Sequence, residues 1–289
     1  MTADVRQQEG WLHTRDGLKL FWREWLPDDP RAMMLVVHGL GEHSGRYLHV
    51  ASYFAQRGFV VRALDYRGHG RSDGARVHVD RFDEFVEDLA LLRVKAHAEH
   101  PSLPLVLVGH SQGGLIVLRS VLCSPESVAG AILSSPLLGV HPSSRPGPLL
   151  ATASQLLSVL APRLRLANNV DPSLVSRDPA VVEAYRRDPL VSSRVSSRWF
   201  TSLLAAIEDT FHAAASLRVP LLLMASGSDR LVDPEAAARW ASRAPSSLVE
   251  YVLWDGLYHE MFNEPEQEAV FRRMQSWWQT HSAALAAVR

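Results

Sequence analysis

A single cysteine, Cys123, stands in the 289 residues, so an intramolecular disulfide framework is excluded. Excess charge is equally scarce. Thirty basic residues against 31 acidic ones leave a net charge of −1, which gives nucleic acid no support as a partner. No apolar run is long enough and free enough of charge to span a membrane. The first ten residues carry Asp4, Arg6 and Glu9 and lack the apolar stretch of a secretory signal, so a cytoplasmic protein is expected. Internal repeats and low-complexity linkers are missing too. With 47% apolar and 21% charged residues, the chain has an ordinary globular balance. Its length suits one large α/β domain and would also permit two.

Short apolar runs punctuate this chain. Trp11 to Trp25 alternates apolar and polar residues around Arg15-Asp16-Gly17, the pattern of a hairpin. Short, mainly apolar runs follow at Met33–Val37, Val60–Leu64, Leu105–Val108, Ala129–Leu133, Leu221–Met224 and Leu248–Leu253. Such runs, bounded by turn residues, suit strands covered on both faces. Helical patterns lie between them. One is Phe82–His100, with Phe82, Phe85, Val86, Leu89 and Leu92 at helical spacing. Another starts at Asp233 with Pro234 in the first helical position. The alternation predicts a mostly parallel, doubly wound α/β sheet with a hairpin leading in.

From about Leu137 to about Phe200 the alternation stops and no clear strand is seen. The stretch opens with Pro136, Pro142, Pro146 and Pro148 and continues into an apolar helical segment, Leu149–Leu166, broken at Pro162. Ser/Arg-rich pieces then run up to Trp199. A helical cap insert at 137–200, over a core made of 1–136 and 201–289, is the expected organisation. The plainer alternative is more helices of one core. The return of the strand pattern at Val219-Pro220-Leu221 favours the insert.

Gly109-His110-Ser111-Gln112-Gly113 is a G-x-S-x-G motif. Alone it is a weak signal. Here a buried-strand run precedes it directly and an apolar helix, Gly114–Val121, follows, which is the context a nucleophile elbow requires. That reading makes the fold an α/β-hydrolase and Ser111 the nucleophile. A serine hydroxyl needs a base to take its proton, and the base needs a carboxylate to fix its tautomer. In this fold both follow the serine in chain order. Two downstream strand ends supply Asp229 and His259. Asp233 reads better as a helix N-cap, Asp255 sits in a turn with Gly256, and His69 reads as a loop histidine. The backbone N–H groups of Gln112 and of Leu40, in His38-Gly39-Leu40-Gly41, are the expected oxyanion donors. Such a triad supplies its own acid–base chemistry, so no metal or organic cofactor is implied.

His38-Gly39-Leu40-Gly41-Glu42-His43-Ser44-Gly45-Arg46-Tyr47 closely resembles a signature of the monoacylglycerol lipase family. Gly68–Ser72, Gly109–Gly114, Gly227–Asp233, Asp171–Arg177, Tyr185 and Asp188-Pro189-Leu190 are similar to the same family. The resemblance covers about residues 10–280. It implies a cytosolic or membrane-associated esterase that cleaves monoacylglycerols, small lipid esters, to fatty acid and glycerol, with the cap rim meeting a membrane or micelle surface. Glu42, Arg46 and Tyr185 match positions near the glycerol head; a bracing role for Glu42 and Arg46 is the alternative. One departure stands out. The animal members carry a second histidine three residues past the catalytic one, where this chain has Phe262. Head-group recognition is therefore open between monoacylglycerols, lysophospholipids and other carboxylic monoesters. A non-catalytic ligand-binding member of the fold is the remote alternative.

Overall fold

The structure is a computed structural model that describes residues 5–144 and 148–286, with side chains described outside 144, 148–153 and 283–286. Pro146 and the side chains of Pro148, Leu149 and Leu150 thus lie outside the described residues. The hairpin predicted around Asp16 is β1 (Val5–His13) and β2 (Lys19–Pro27), paired antiparallel with Leu12 opposite Leu20. Gly17 closes the turn at φ 87°, where a side chain would be strained. The remaining sheet strands are β3 (Ala32–Val37), β4 (Phe59–Leu64), β5 (Leu105–His110), β6 (Gly130–Ser134), β9 (Leu221–Ser226) and β10 (Val249–Trp254). Their order is β1-β2-β4-β3-β5-β6-β9-β10, antiparallel on either side of β2 and parallel from β4 onward.

Alternate residues of β3 show how the layers form. Met33, Leu35 and Val37 join one core; Met34 and Val36 join the other. A period of two places successive side chains on opposite faces. The first face is covered by α2 (Asp83–Glu99), α3 (Gln112–Cys123) and α7 (Pro234–Ala241), through Phe85, Leu89, Ile116 and Trp240. The second is covered by α1 (Leu48–Ala55) and α8 (Gln267–Ala286), through Phe54, Phe271 and Trp277. Coverage on both sides explains why strands β3 to β6 and β9 are apolar almost throughout. Two exceptions are informative. Arg62, buried in β4, is held by Glu24 and Glu99 and lies 4.9 Å from the Trp22 ring. Strand β10 is at the sheet edge and only partly covered, so its run contains exposed Glu250 and Leu253.

Between β6 and β9 the chain leaves the sheet. It forms α4 (Pro148–Leu160), α5 (Pro179–Arg187) and α6 (Ser197–His212). Contrary to the sequence reading, it also forms two short strands, β7 (Arg165–Ala167) and β8 (Arg194–Ser196), paired with Leu166 opposite Val195. Three residues are too few to show a strand period. Helix α6 starts at a Ser196 cap, whose hydroxyl accepts the Trp199 N–H at 3.0 Å. It runs unbroken through position 200, where the expected insert ended. Trp199, Leu203 and Ala206 on this helix belong to the main core, so one helix serves both parts.

Candidate active site

Ser111 links β5 to α3 at φ 52° and ψ −119°, angles forbidden to ordinary L-residues. The flanking glycines make this turn possible. A Cβ on Gly109 would lie 2.4 Å from Gly113 O, and a Cβ on Gly113 would lie 2.1 Å from Val37 O. Both obstacles are backbone, which cannot swing aside. The serine N–H donates to Ser134 O on the neighbouring strand at 2.9 Å. The hydroxyl is thereby held above the C-terminal edge of the sheet.

Two other strand ends deliver partners to it. The loop after β10 places His259 Nε2 2.9 Å from Ser111 Oγ. The loop after β9 places Asp229 Oδ2 2.7 Å from His259 Nδ1. The other Asp229 oxygen accepts the N–H groups of Leu231 and Val232 at 2.8 and 3.0 Å, which fixes the carboxylate plane. Since a carboxylate only accepts, His259 carries its proton on Nδ1 and offers the Nε2 lone pair to the serine. Burial pulls the His259 pKa down, but the Asp229 charge and hydrogen bond outweigh it, with Glu260 and Glu42 adding, so the net shift is upward. His110, its ring 4.8 Å from that of His259, is pushed down to about 4 by burial and by His259. Asp233 caps α7 by accepting the Glu235 N–H at 3.0 Å, and His69 is a buried loop residue on Arg67 O.

The loop after β3 is pinned at one peptide. Gly39 O accepts from Tyr66 Oη at 2.7 Å and from His38 Nδ1 at 2.9 Å. A trans peptide directs its N–H opposite to its C=O, so the Leu40 N–H points away from these donors. Gln112 opens α3, where first-turn N–H groups lack intrahelical partners. Among the described residues, neither Leu40 N–H nor Gln112 N–H has a protein acceptor. The Gln112 side chain donates to Tyr66 Oη at 3.1 Å and accepts from Trp199 Nε1 at 2.8 Å, tying α6 to both donor residues.

A cavity of about 730 Å3 opens over Ser111 and His259. Leu40, Leu137, Leu166, Val195, Phe200 and Leu231 contribute apolar wall; Glu42, Tyr185 and Glu260 contribute polar wall. Arg46 lies behind this polar wall. Its guanidinium donates to Glu42 Oε2 at 2.6 Å and to both Glu260 oxygens at 2.7 Å, and packs 4.8 Å from the Tyr185 ring. Arg46 is held charged against burial by Glu260 and Glu42, and Arg46 in turn keeps buried Glu42 below the usual carboxylate range. Sequence reasoning missed Glu260. The only signal was an acid directly after His259, which a surface loop would also allow. It also missed Trp199 as a partner of Gln112. Phe262 is placed in the core, with ring centroids 6.4 Å from Tyr47 and 6.0 Å from Phe271, rather than on the cavity wall. Among the described residues no group of acidic, histidine or cysteine side chains is arranged to hold a metal ion.

A mostly parallel sheet with a strained serine at a strand–helix elbow, hydrogen-bonded to a histidine and through it to an aspartate, defines an α/β-hydrolase. The family described as “Serine aminopeptidase, S33” matches residues 28–266. The chain belongs to that family, among the monoacylglycerol lipases it resembles, and is an enzyme of the esterase and lipase type. A monoacylglycerol lipase of Mycolicibacterium smegmatis is 39% identical over 92% of this chain and 94% of its own length. Phospholipase YtpA of Bacillus subtilis is 36% identical over 86% and 95%. The solved monoacylglycerol lipase of Paleococcus ferrophilus superposes with a TM-score of 0.78 at 29% identity, covering 96% of this chain and 99% of that one.

Proposed function

We propose that the chain cleaves monoacylglycerols to fatty acid and glycerol, with Ser111, His259 and Asp229 as its catalytic triad. The observation that carries this is the Ser111–His259–Asp229 hydrogen-bonded line at the floor of a largely apolar cavity with one polar wall. Ser111 Oγ attacks the ester carbonyl while His259 Nε2 takes its proton. The N–H groups of Leu40 and Gln112 receive the oxyanion, and each such donor is commonly worth a few kcal/mol. His259 then protonates the departing glycerol oxygen. Water attacks the acyl-enzyme with the same imidazole as base, and Ser111 is restored.

The polar wall suits an uncharged polyol head. Glu42, Glu260 and the Tyr185 hydroxyl offer acceptors for hydroxyl donors. Arg46 acts behind them, as a brace. A lysophospholipid is the second reading, favoured by the phospholipase among the relatives. Its phosphate would face two carboxylates whose one cation is already shared between them, so the first reading is preferred. The β6–β9 segment serves as a cap. Leu156, Val159 and Leu160 stand 60%, 68% and 72% exposed on one face of α4, spaced three and four residues apart. This stripe would rest on a membrane or micelle while substrate enters.

The test is hydrolysis of a 1-monoacylglycerol series beside the matching lysophosphatidylcholine, with Ser111→Ala as control. Preference for the monoacylglycerol, lost in the variant, is expected. Better turnover of the lysophospholipid would refute the substrate, and full activity of Ser111→Ala would refute the mechanism.

A further inference from the structure

We propose that Glu260 is a positioning residue that, through Arg46, locks the oxyanion loop to the histidine loop. The inference rests on the hydrolase reading above. Glu42 Oε1 accepts the Gly39 N–H at 2.5 Å and the Tyr47 hydroxyl at 2.6 Å, so its carboxylate is part of the loop that carries Leu40. Its other oxygen takes Arg46 Nη1 at 2.6 Å. The same guanidinium grips Glu260 with two parallel bonds of 2.7 Å, the geometry that makes an arginine–carboxylate pair rigid. Glu260 follows His259 directly in the chain. Its backbone N–H donates to Val175 O at 2.8 Å, and Asn263 Nδ2 donates to its side chain at 2.8 Å. Residues 214 positions apart in sequence are thus joined by one cation. That cation fixes the span between the base and the Leu40 N–H, two groups that must act on one tetrahedral centre. Misplacement by about 1 Å can cost about 100-fold in rate.

The bridge also sets the field at the base. His259 is faced by Asp229 from the loop after β9, by Glu42 from the loop after β3, by His110 from the end of β5, and by Glu260, and Arg46 is bonded to both glutamates. Removing the Glu260 charge leaves fewer anions to favour imidazolium. Removing the bidentate grip while keeping the cation leaves the charges almost unchanged.

These consequences separate positioning from simple structural support. Glu260→Gln and Arg46→Lys are compared with wild type on a soluble p-nitrophenyl ester and a monoacylglycerol, with melting temperatures recorded. Both variants are expected to lose about 10- to 100-fold in kcat with KM within about threefold. In Glu260→Gln the acid limb of the kcat/KM profile should move down; in Arg46→Lys it should stay in place. Wild-type kcat in Glu260→Gln, an unmoved acid limb in that variant, or a rise in KM that accounts for the whole loss overturns the proposal. If Glu260→Gln does not fold, Arg46→Lys decides: reduced kcat at unchanged KM supports the bridge and unchanged kcat refutes it. Failure of wild-type Ser111 to react with a fluorophosphonate, together with absent hydrolysis, would instead refute the hydrolase reading.

Discussion

Ser111→Gly should yield a protein more stable than Ser111→Ala, while both should be inactive. Ser111 sits at φ 52° and ψ −119°, and a non-glycine residue in such a region costs about 1–3 kcal/mol. Alanine keeps the Cβ and therefore the strain; glycine removes it. Each variant loses the 2.9 Å bond to His259, so that loss cancels in the comparison. Glycine adds about 0.4–1 kcal/mol of unfolded-state entropy against it. The balance favours Ser111→Gly by about 1 kcal/mol, or about 1–3 °C in melting temperature for a domain this large. Differential scanning calorimetry of the two purified variants reads this directly. A Ser111→Gly protein melting at or below Ser111→Ala would show that the elbow stores no recoverable strain.

Hydrolysis should fall on the acid side, because only neutral His259 can accept the serine proton. The Asp229 carboxylate raises its folded pKa, so the midpoint of the acid limb in kcat/KM should lie above the ordinary histidine value of about 6.5; a midpoint below that ordinary value would contradict the geometry. The same raised pKa gives a stability term that is full below about 6.5 and fades as pH rises through the folded value. Gly113→Ala places a methyl 2.1 Å from Val37 O and 2.4 Å from His38 O, so the oxyanion loop must shift; kcat should drop at least about 10-fold, and an unchanged kcat would show that the loop yields freely. Phe262→Ala should destabilise by about 3–5 kcal/mol in urea unfolding without altering the ranking of head groups, since the ring packs in the core; a changed ranking would place it at the substrate. Leu160→Asp should weaken vesicle binding while sparing turnover of soluble short esters, because that side chain is 72% exposed; unchanged flotation with vesicles would remove the α4 stripe as a lipid contact.

The strands and the elbow were legible in the sequence because their causes are local. A strand buried on both faces must be apolar along its length, and the runs at Met33, Val60, Leu105, Ala129 and Leu221 announce β3, β4, β5, β6 and β9. The elbow needs glycine two residues on either side of Ser111 because backbone lies where a Cβ would go. The placement of Asp229 and His259 beside Ser111 was legible once the strand ends were, since a sheet gathers its C-terminal loops at one edge. Less was readable between β6 and β9, where strands of three residues show no period and α6 crosses from one part of the molecule to the other.

Tertiary structure alone decided the rest. That Arg46 pairs with Glu260, 214 residues away, was fixed by how the two loops pack. The inward turn of Phe262 was set by Tyr47 and Phe271, which close around it from separate elements. The link from Trp199 through Gln112 to Tyr66 joins three elements that no local pattern relates. The reason is common to all of these. Periodicity and turn chemistry are written in neighbouring residues, whereas a buried charge or an aromatic ring takes its role from whichever distant side chains the fold packs against it.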